Sequence, residues 1–229
     1  MEEMVLVLFD EGALVRNGAA KLTRSLNQLK IPPTVQAILA ARIDRLPADE
    51  KDLLQTLAVI GREFPLALVR RLLSTSDDEL NRMLSDLQMA EFIYEQPATG
   101  DIEYIFKHAL TQEVAYNSLL VERRKISHER VGRAMESLYA DKPDDHLGEL
   151  AHHYGRSGNF QKAVEYLRRA GEQVVRRSAY SEAVAHITSA LGLLTAIRDG
   201  ADRAMEELRL QTTLAGCGKT SISQSRSIY

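Results

Sequence analysis

Phe92-Ile93-Tyr94-Glu95-Gln96 and Ile102-Glu103-Tyr104-Ile105-Phe106 are the two runs on which the fold turns. Both are aromatic and β-branched, and Pro97-Ala98-Thr99-Gly100-Asp101 joins them, which predicts a β-hairpin with a five-residue loop. Everything around the hairpin reads as helix. Upstream, Ile31-Pro32-Pro33 breaks the chain and Pro33 suits the first turn of a helix whose Val35, Ile38, Leu39, Ile43 and Leu46 keep the 3.6-residue period. Pro47-Ala48-Asp49-Glu50 opens the next helix with acids at its N-terminus, and Gly61 closes it. Phe64–Leu73 reads as a short third helix, and Ser76-Asp77-Asp78-Glu79 caps a fourth that runs to about Ala90. Two more follow the hairpin, over about Ala109–Leu120 and Glu122–Tyr139. Helices closed by one hairpin have the outline of a winged-helix domain, over residues 31–140.

Asp141-Lys142-Pro143-Asp144-Asp145 marks a boundary, and beyond it the chain repeats. Gly158-Asn-Phe160-x-x-Ala163-x-x-x-Leu167-x-x-Ala170 returns as Ser178-Ala-Tyr180-x-x-Ala183-x-x-x-Ile187-x-x-Ala190. Small residues at fixed turns let helices approach closely, so residues 141–212 are expected to form a short tetratricopeptide-like α-solenoid. The period of one helix plus a turn is shorter than the ~34 residues of a regular tetratricopeptide repeat. Ile187, Leu191 and Leu194 would then lie on an uncapped apolar face. Residues 213–229 carry no acid after Ala215 and include the Ser-rich run Ser221–Ser227, which reads as a disordered tail. At the other end, Glu2–Glu11 has helical spacing and Asn17-Gly18 sits between two short apolar runs as a hairpin signal. The expected fold class is mostly α.

Composition narrows the function. Twenty-nine basic and 32 acidic side chains give a net charge of -3, and residues 31–140 are acidic on their own. The candidate recognition helix, Glu79–Glu91, has Arg82 against Glu79, Asp86 and Glu91, and the hairpin adds Glu95, Asp101 and Glu103. That surface repels phosphates, so DNA is not the expected partner. Arg123-Arg124-Lys125 reads as ordinary solvated charge beside Glu122 and Glu129. The single cysteine, Cys217, excludes an internal disulfide and suits a reducing cytoplasm. No long apolar run or basic leader is present, so a cytoplasmic chain without a membrane partner is expected.

No catalytic constellation stands out. Gly216-Cys-Gly218-Lys219-Thr220 imitates the end of a phosphate-binding loop, but Thr213 occupies the position of the first glycine. His128-Glu129 begins like a zinc-protease helix, yet Gly132 stands where the second histidine belongs. His152 and His153 are adjacent and point about 100° apart on a helix, so they are expected as surface or packing histidines rather than metal ligands.

Two longer blocks carry a resemblance: Ile31-Pro-Pro-Thr-Val-Gln-x-Ile-Leu-Ala-Ala-Arg-Ile-Asp-Arg-Leu-Pro47 with Leu54–Pro65, and Tyr104-Ile-Phe-Lys-His-Ala-Leu-Thr-Gln-Glu-Val-Ala-Tyr116, with Arg124 and His128 downstream. Over about residues 1–212 the chain resembles the region after the nucleotide-binding core of bacterial STAND-type signal-transduction ATPases with tetratricopeptide repeats, often fused to class III adenylate/guanylate cyclase domains. The resemblance implies that residues 1–30 are the remnant of the ATPase module, followed by the winged helix and the first repeats of a partner-binding sensor. It implies a fragment with no catalysis of its own, because the phosphate-binding loop and cyclase domain are missing. ATP or ADP with Mg would belong to the full-length family, and the partners would be a protein on the repeats and a nucleotide-binding domain in cis or trans. His108, in Phe106-Lys-His108-Ala-Leu110, matches the place of a winged-helix histidine that touches the β-phosphate of ADP. The alternatives are a segment of a nucleotide-dependent ATPase or cyclase whose catalytic domains lie upstream, and a free-standing winged-helix transcription regulator.

Overall fold

The computed structural model describes residues 14–16, 20–22, 33–97, 102–197 and 200–226. Over these the chain is mostly helical with one three-stranded sheet and a small separate hairpin. The hairpin pairs β1 (Leu14–Arg16) with β2 (Ala20–Leu22), Leu14 opposite Leu22. The expected helix at Glu2–Glu11 lies outside the described residues.

Helix α1 (Pro33–Asp44) starts on its proline, and α2 (Ala48–Ile60) starts behind Pro47 with Asp49 and Glu50 in its first turn. Leu53, Leu54, Leu57 and Ala58 of α2 are buried. The expected third helix begins two residues late. Glu63–Pro65 is instead a strand, β3, paired antiparallel with β5, and α3 (Leu66–Leu72) follows it. The reason is local: Pro65 is poorly placed to continue a strand and well placed just before a helix, while Phe64 is fully buried, stacked with Tyr104 and edge-on to Phe106. Helix α4 (Asp77–Met89) is capped by Ser76, whose Oγ accepts from the Glu79 N–H at 3.3 Å. It closes through Glu91, which takes a left-handed φ of 59° so that the Phe92 N–H reaches the Leu87 carbonyl at 3.0 Å. Strands β4 (Ile93–Pro97) and β5 (Ile102–Phe106) then form the expected antiparallel hairpin, Ile93 opposite Phe106, and the sheet order is β3-β5-β4. Leu80, Leu84 and Leu87 of α4, Ile93, Phe106 and the α2 leucines form the first core.

Helices α5 (Ala109–Asn117) and α6 (Val121–Leu138) lead out of the sheet-bearing region. After the 3₁₀ turn Pro143–Asp145 come α7 (Leu147–Ser157), α8 (Phe160–Arg176), α9 (Tyr180–Leu194) and α10 (Ala201–Arg226), each packed against the helix before it. The sequence repeat has a backbone counterpart. Gly158 and Ser178, at matching positions, are both left-handed, with φ of 89° and 60°. The next residues repeat the same helix-ending bond, Asn159 N–H to the Tyr154 carbonyl at 3.1 Å and Ala179 N–H to the Val174 carbonyl at 3.0 Å. Ala163, Ala183 and Ala190 are fully buried, as helices at close approach require.

The tail expectation is corrected. Residues 213–226 continue α10, and Cys217 is buried against Val174 and Ala183. Leu214 and Cys217 pack against the preceding helices, and the Gly216–Thr220 motif lies inside a helix, where its amides are spent on helical bonds; residues 227–229 lie outside the described residues. The uncapped face is corrected with it. Ile187 and Leu194 are buried with Leu210 of α10, and Leu191 is partly buried against them.

A Cβ at Gly158 would meet nothing within 4 Å, so only its backbone angle resists substitution. Gly158→Ala should therefore cost about 1–2 kcal/mol, while Ser178→Gly should leave stability level or raise it. Urea unfolding of both variants checks this; equal losses in the two would contradict it.

Candidate functional site

The groups with unusual chemistry gather where the sheet-bearing region meets the helix array. Gly132 of α6 faces the ring of Tyr154 on α7, and a Cβ there would sit 2.9 Å from Tyr154 Cζ. That contact explains why the would-be second ligand position of the zinc-protease pattern is glycine: it makes room for a fully buried tyrosine. Tyr154 stacks on Tyr166 of α8 with centroids 5.8 Å apart, and Lys162 Nζ donates to its hydroxyl at 3.1 Å. Lys162 also donates to both Glu136 oxygens, at 2.7 and 2.8 Å, and Tyr166 donates to Glu136 at 2.6 Å. Burial works against the Glu136 charge, but the bonds from Lys162, Tyr166 and Tyr154 outweigh it and hold the carboxyl below its ordinary value. Burial and the Glu136 carboxylate push both tyrosine hydroxyls up, so they remain protonated donors.

Glu129 makes a second clamp from α6. It accepts from Ser157 Oγ at 2.9 Å and from Asn159 Nδ2 at 3.3 Å, so one carboxylate holds the α7–α8 turn. Asn159 in turn caps α8 by accepting from the Lys162 N–H.

Beside these clamps lies a chain of three rings that the sequence did not announce. Tyr116 Oη of α5 is 3.0 Å from His128 Nε2 of α6, and His128 Nδ1 is 3.0 Å from His153 Nδ1 of α7. Both histidines are buried, at 2% and 3% exposure. An N···N hydrogen bond needs one protonated and one bare nitrogen, so each ring can be neutral with the proton running in either direction. Burial, then the neighbouring His152, Arg156 and Arg124, lowers the His128 pKa to about 4. Burial, then His128 and His152, lowers that of His153 to about 3. Arg124 lies 4.9 Å over the Tyr116 ring, and its guanidinium donates to the Leu119 carbonyl at 2.9 Å and the Asn117 carbonyl at 3.2 Å. The expectation of a merely solvated basic cluster holds for Lys125, paired with Glu122, but not for Arg124, which closes the end of α5.

His108 is the residue before α5, with extended backbone angles of -134° and 137°. Its carbonyl accepts the Thr111 N–H at 3.0 Å, while its imidazole makes no capping bond and is exposed. The residue before it, Lys107, pairs with Glu91 at 2.9 Å and so ties together the two ends of the β4–β5 hairpin. Tyr116, two turns further along the same helix, turns inward to His128. No group of metal-binding side chains occurs among the described residues.

His128 and His153 are neutral in the fold, whereas free histidine titrates near 6.5. Below that value the unfolded chain takes up protons that the folded chain refuses. Stability is therefore full above about pH 6.5 and falls as the pH drops toward about 4, by up to about 1.4 kcal/mol per pH unit for each histidine. Urea midpoints from pH 7.5 to 4.5 check the slope. Tyr116→Phe should cost about 1–3 kcal/mol by stranding His128 Nε2, and a flat pH profile would contradict the neutral pair.

No family model matches the chain. Over 174 residues, 76% of its length, it is 29% identical to the "Uncharacterized protein R02095" of Rhizobium meliloti (strain 1021). The chain spans only 17% of that protein's length.

Proposed function

We propose that the chain is a non-catalytic regulatory module of a signal-transduction ATPase, a winged helix that couples a nucleotide-binding domain to a helical partner-binding sensor. The order α2, β3, α3, α4, β4, β5 with β5 central is the order of a winged helix, and α7 to α10, each packed on the last, suit a tetratricopeptide-like solenoid. One observation carries the reading above the others. A single apolar cluster runs from Val59 of α2 and Leu68 of α3, through Val131 and Met135 of α6, to Leu150 and Tyr154 of α7 and Ala163 of α8. Two functions on separate modules would need no such weld, whereas a device that passes a partner's signal to the nucleotide needs a stiff connection.

On this reading the chain brings one side chain to the nucleotide, His108, and no phosphate-binding loop. The described residues offer one exposed imidazole at the start of α5, and the phosphate-loop look-alike is mid-helix. ATP or ADP with Mg would be held by a nucleotide-binding domain in cis or trans, with His108 reaching toward the β-phosphate of ADP and donating one hydrogen bond to it. Cyclase or ATPase chemistry would belong to such domains and not to these residues. DNA reading is disfavoured by α4, whose Asp77, Asp78 and Glu79 crowd its first turn.

The chain alone with Mg-ATP should give no turnover above a buffer blank. In a longer chain that includes the nucleotide-binding domain, His108→Ala should speed release of fluorescent ADP about tenfold, the loss of one charge-assisted bond, with an unchanged melting temperature. Unchanged release with a lowered melting temperature would assign His108 to structure and remove the nucleotide contact.

A further inference from the structure

A cleft of about 370 Å³ opens at the same junction, between the edge strand β3, the end of α6 and the face of α7. Its volume lies at the small end of ligand sites. Phe64, Leu68 and Met135 give it an apolar floor. Tyr139 and His146 form one wall as a stacked pair, with centroids 3.6 Å apart and planes 18° from parallel. Glu63, Glu103 and Glu149 stand around it, and no lysine or arginine lines it among the described residues. Among the described residues Glu149 has the neighbouring His146, at 3.3 Å, as the partner for its charge.

His153 also lines this cleft. It is 97% buried by its 3% exposure, and it spends Nδ1 on His128. Its Nε2 has no hydrogen-bond partner among the described residues, yet that atom is not sealed from solvent. A buried ring thus keeps one bare-or-protonated nitrogen for whatever enters. An apolar floor, an aromatic wall, three carboxylates and a nitrogen that can accept together describe a receptor for a cation on an aliphatic stem.

We infer that this cleft binds an alkylammonium group, its stem on Phe64 and Met135 and its charge among Glu63, Glu103 and Glu149, with one N–H donated to His153 Nε2. The consequence for the ring chain follows from counting protons. With Nε2 accepting, the His153 proton sits on Nδ1 and donates to His128 Nδ1; the His128 proton then sits on Nε2 and donates to Tyr116 Oη, whose own hydroxyl hydrogen rotates away. No proton is gained or lost, and both rings stay neutral. Occupancy of the cleft therefore sets the direction of the chain as far as α5, the helix that begins after His108. The site does not depend on the nucleotide reading, since it uses none of the residues that reading assigns to ADP.

The chemistry is shared by a peptide lysine and a free polyamine, and the test separates them. Titration of the ¹⁵N-labelled chain with n-butylammonium should shift resonances of Phe64, Met135 and Tyr139, while n-butanol, the same stem without charge, should not. Long-range ¹H–¹⁵N spectra should show His153 Nε2 unprotonated and Nδ1 protonated in the complex. Glu63→Gln and Glu103→Gln should each weaken binding about tenfold, with unchanged melting temperatures because neither side chain is in the core. Nα-acetyl-lysine-methylamide, which keeps its side-chain ammonium, binding more tightly than spermidine assigns the site to a peptide; the reverse order assigns it to a polyamine. The inference is overturned by butylammonium that causes no shifts at tens of millimolar, or by binding that both glutamine variants leave intact.

Discussion

The contact of the Tyr154 ring with the bare backbone of Gly132 is the constraint from which the rest of the architecture follows. It allows α7 to lie close on α6, and it brings the Tyr154 hydroxyl to Lys162 and the ring to Tyr166. The Glu136 and Glu129 clamps can reach across to α8 only because that approach is close. A methyl group at Gly132 would have to displace a ring that has nowhere to go, at a cost of about 1–3 kcal/mol, and it would pry apart the seam that joins sheet and array. Gly171 makes the same kind of room between α8 and α9, where a Cβ would lie 2.7 Å from Ile187 Cδ1.

Much of the fold was legible because its signals are local. Ser76 with Glu79 announces the start of α4, the aromatic runs announce β4 and β5, and the small residues at Ala163 and Ala183 announce close helix packing. Strand β3 was not legible, since three residues beside a proline carry no period, and Glu63–Pro65 is a strand only because β5 offers it an edge. The helical state of 213–226 was also hidden: Cys217 packs on residues of α8 and α9, so the evidence for the helix lies some thirty to forty residues away in sequence.

The site was legible residue by residue and not in its assembly. Tyr116, His128 and His153 belong to three helices, and nothing in a one-dimensional pattern says that their rings meet. In the incomplete zinc-protease pattern at His128 the informative residue is the glycine. What the sequence weighs as a missing ligand, the structure uses as space for an aromatic ring. His108 was placed correctly at the start of α5, and its exposure leaves it available to a neighbouring domain in a way that a packed histidine would not be.

Cys217 gives the array a built-in clock. The thiol is sealed between α8, α9 and α10, and it is the one cysteine in the chain. A small alkylating reagent can reach it only when α10 lifts away from its neighbours. The modification rate, divided by the rate for an unhindered thiol, therefore equals the fraction of time that the last helix is undocked. If that rate follows global unfolding, helix array and sheet open as one body. If it is faster, α10 detaches first, and the same measurement with a partner bound would report how firmly that partner holds the array shut.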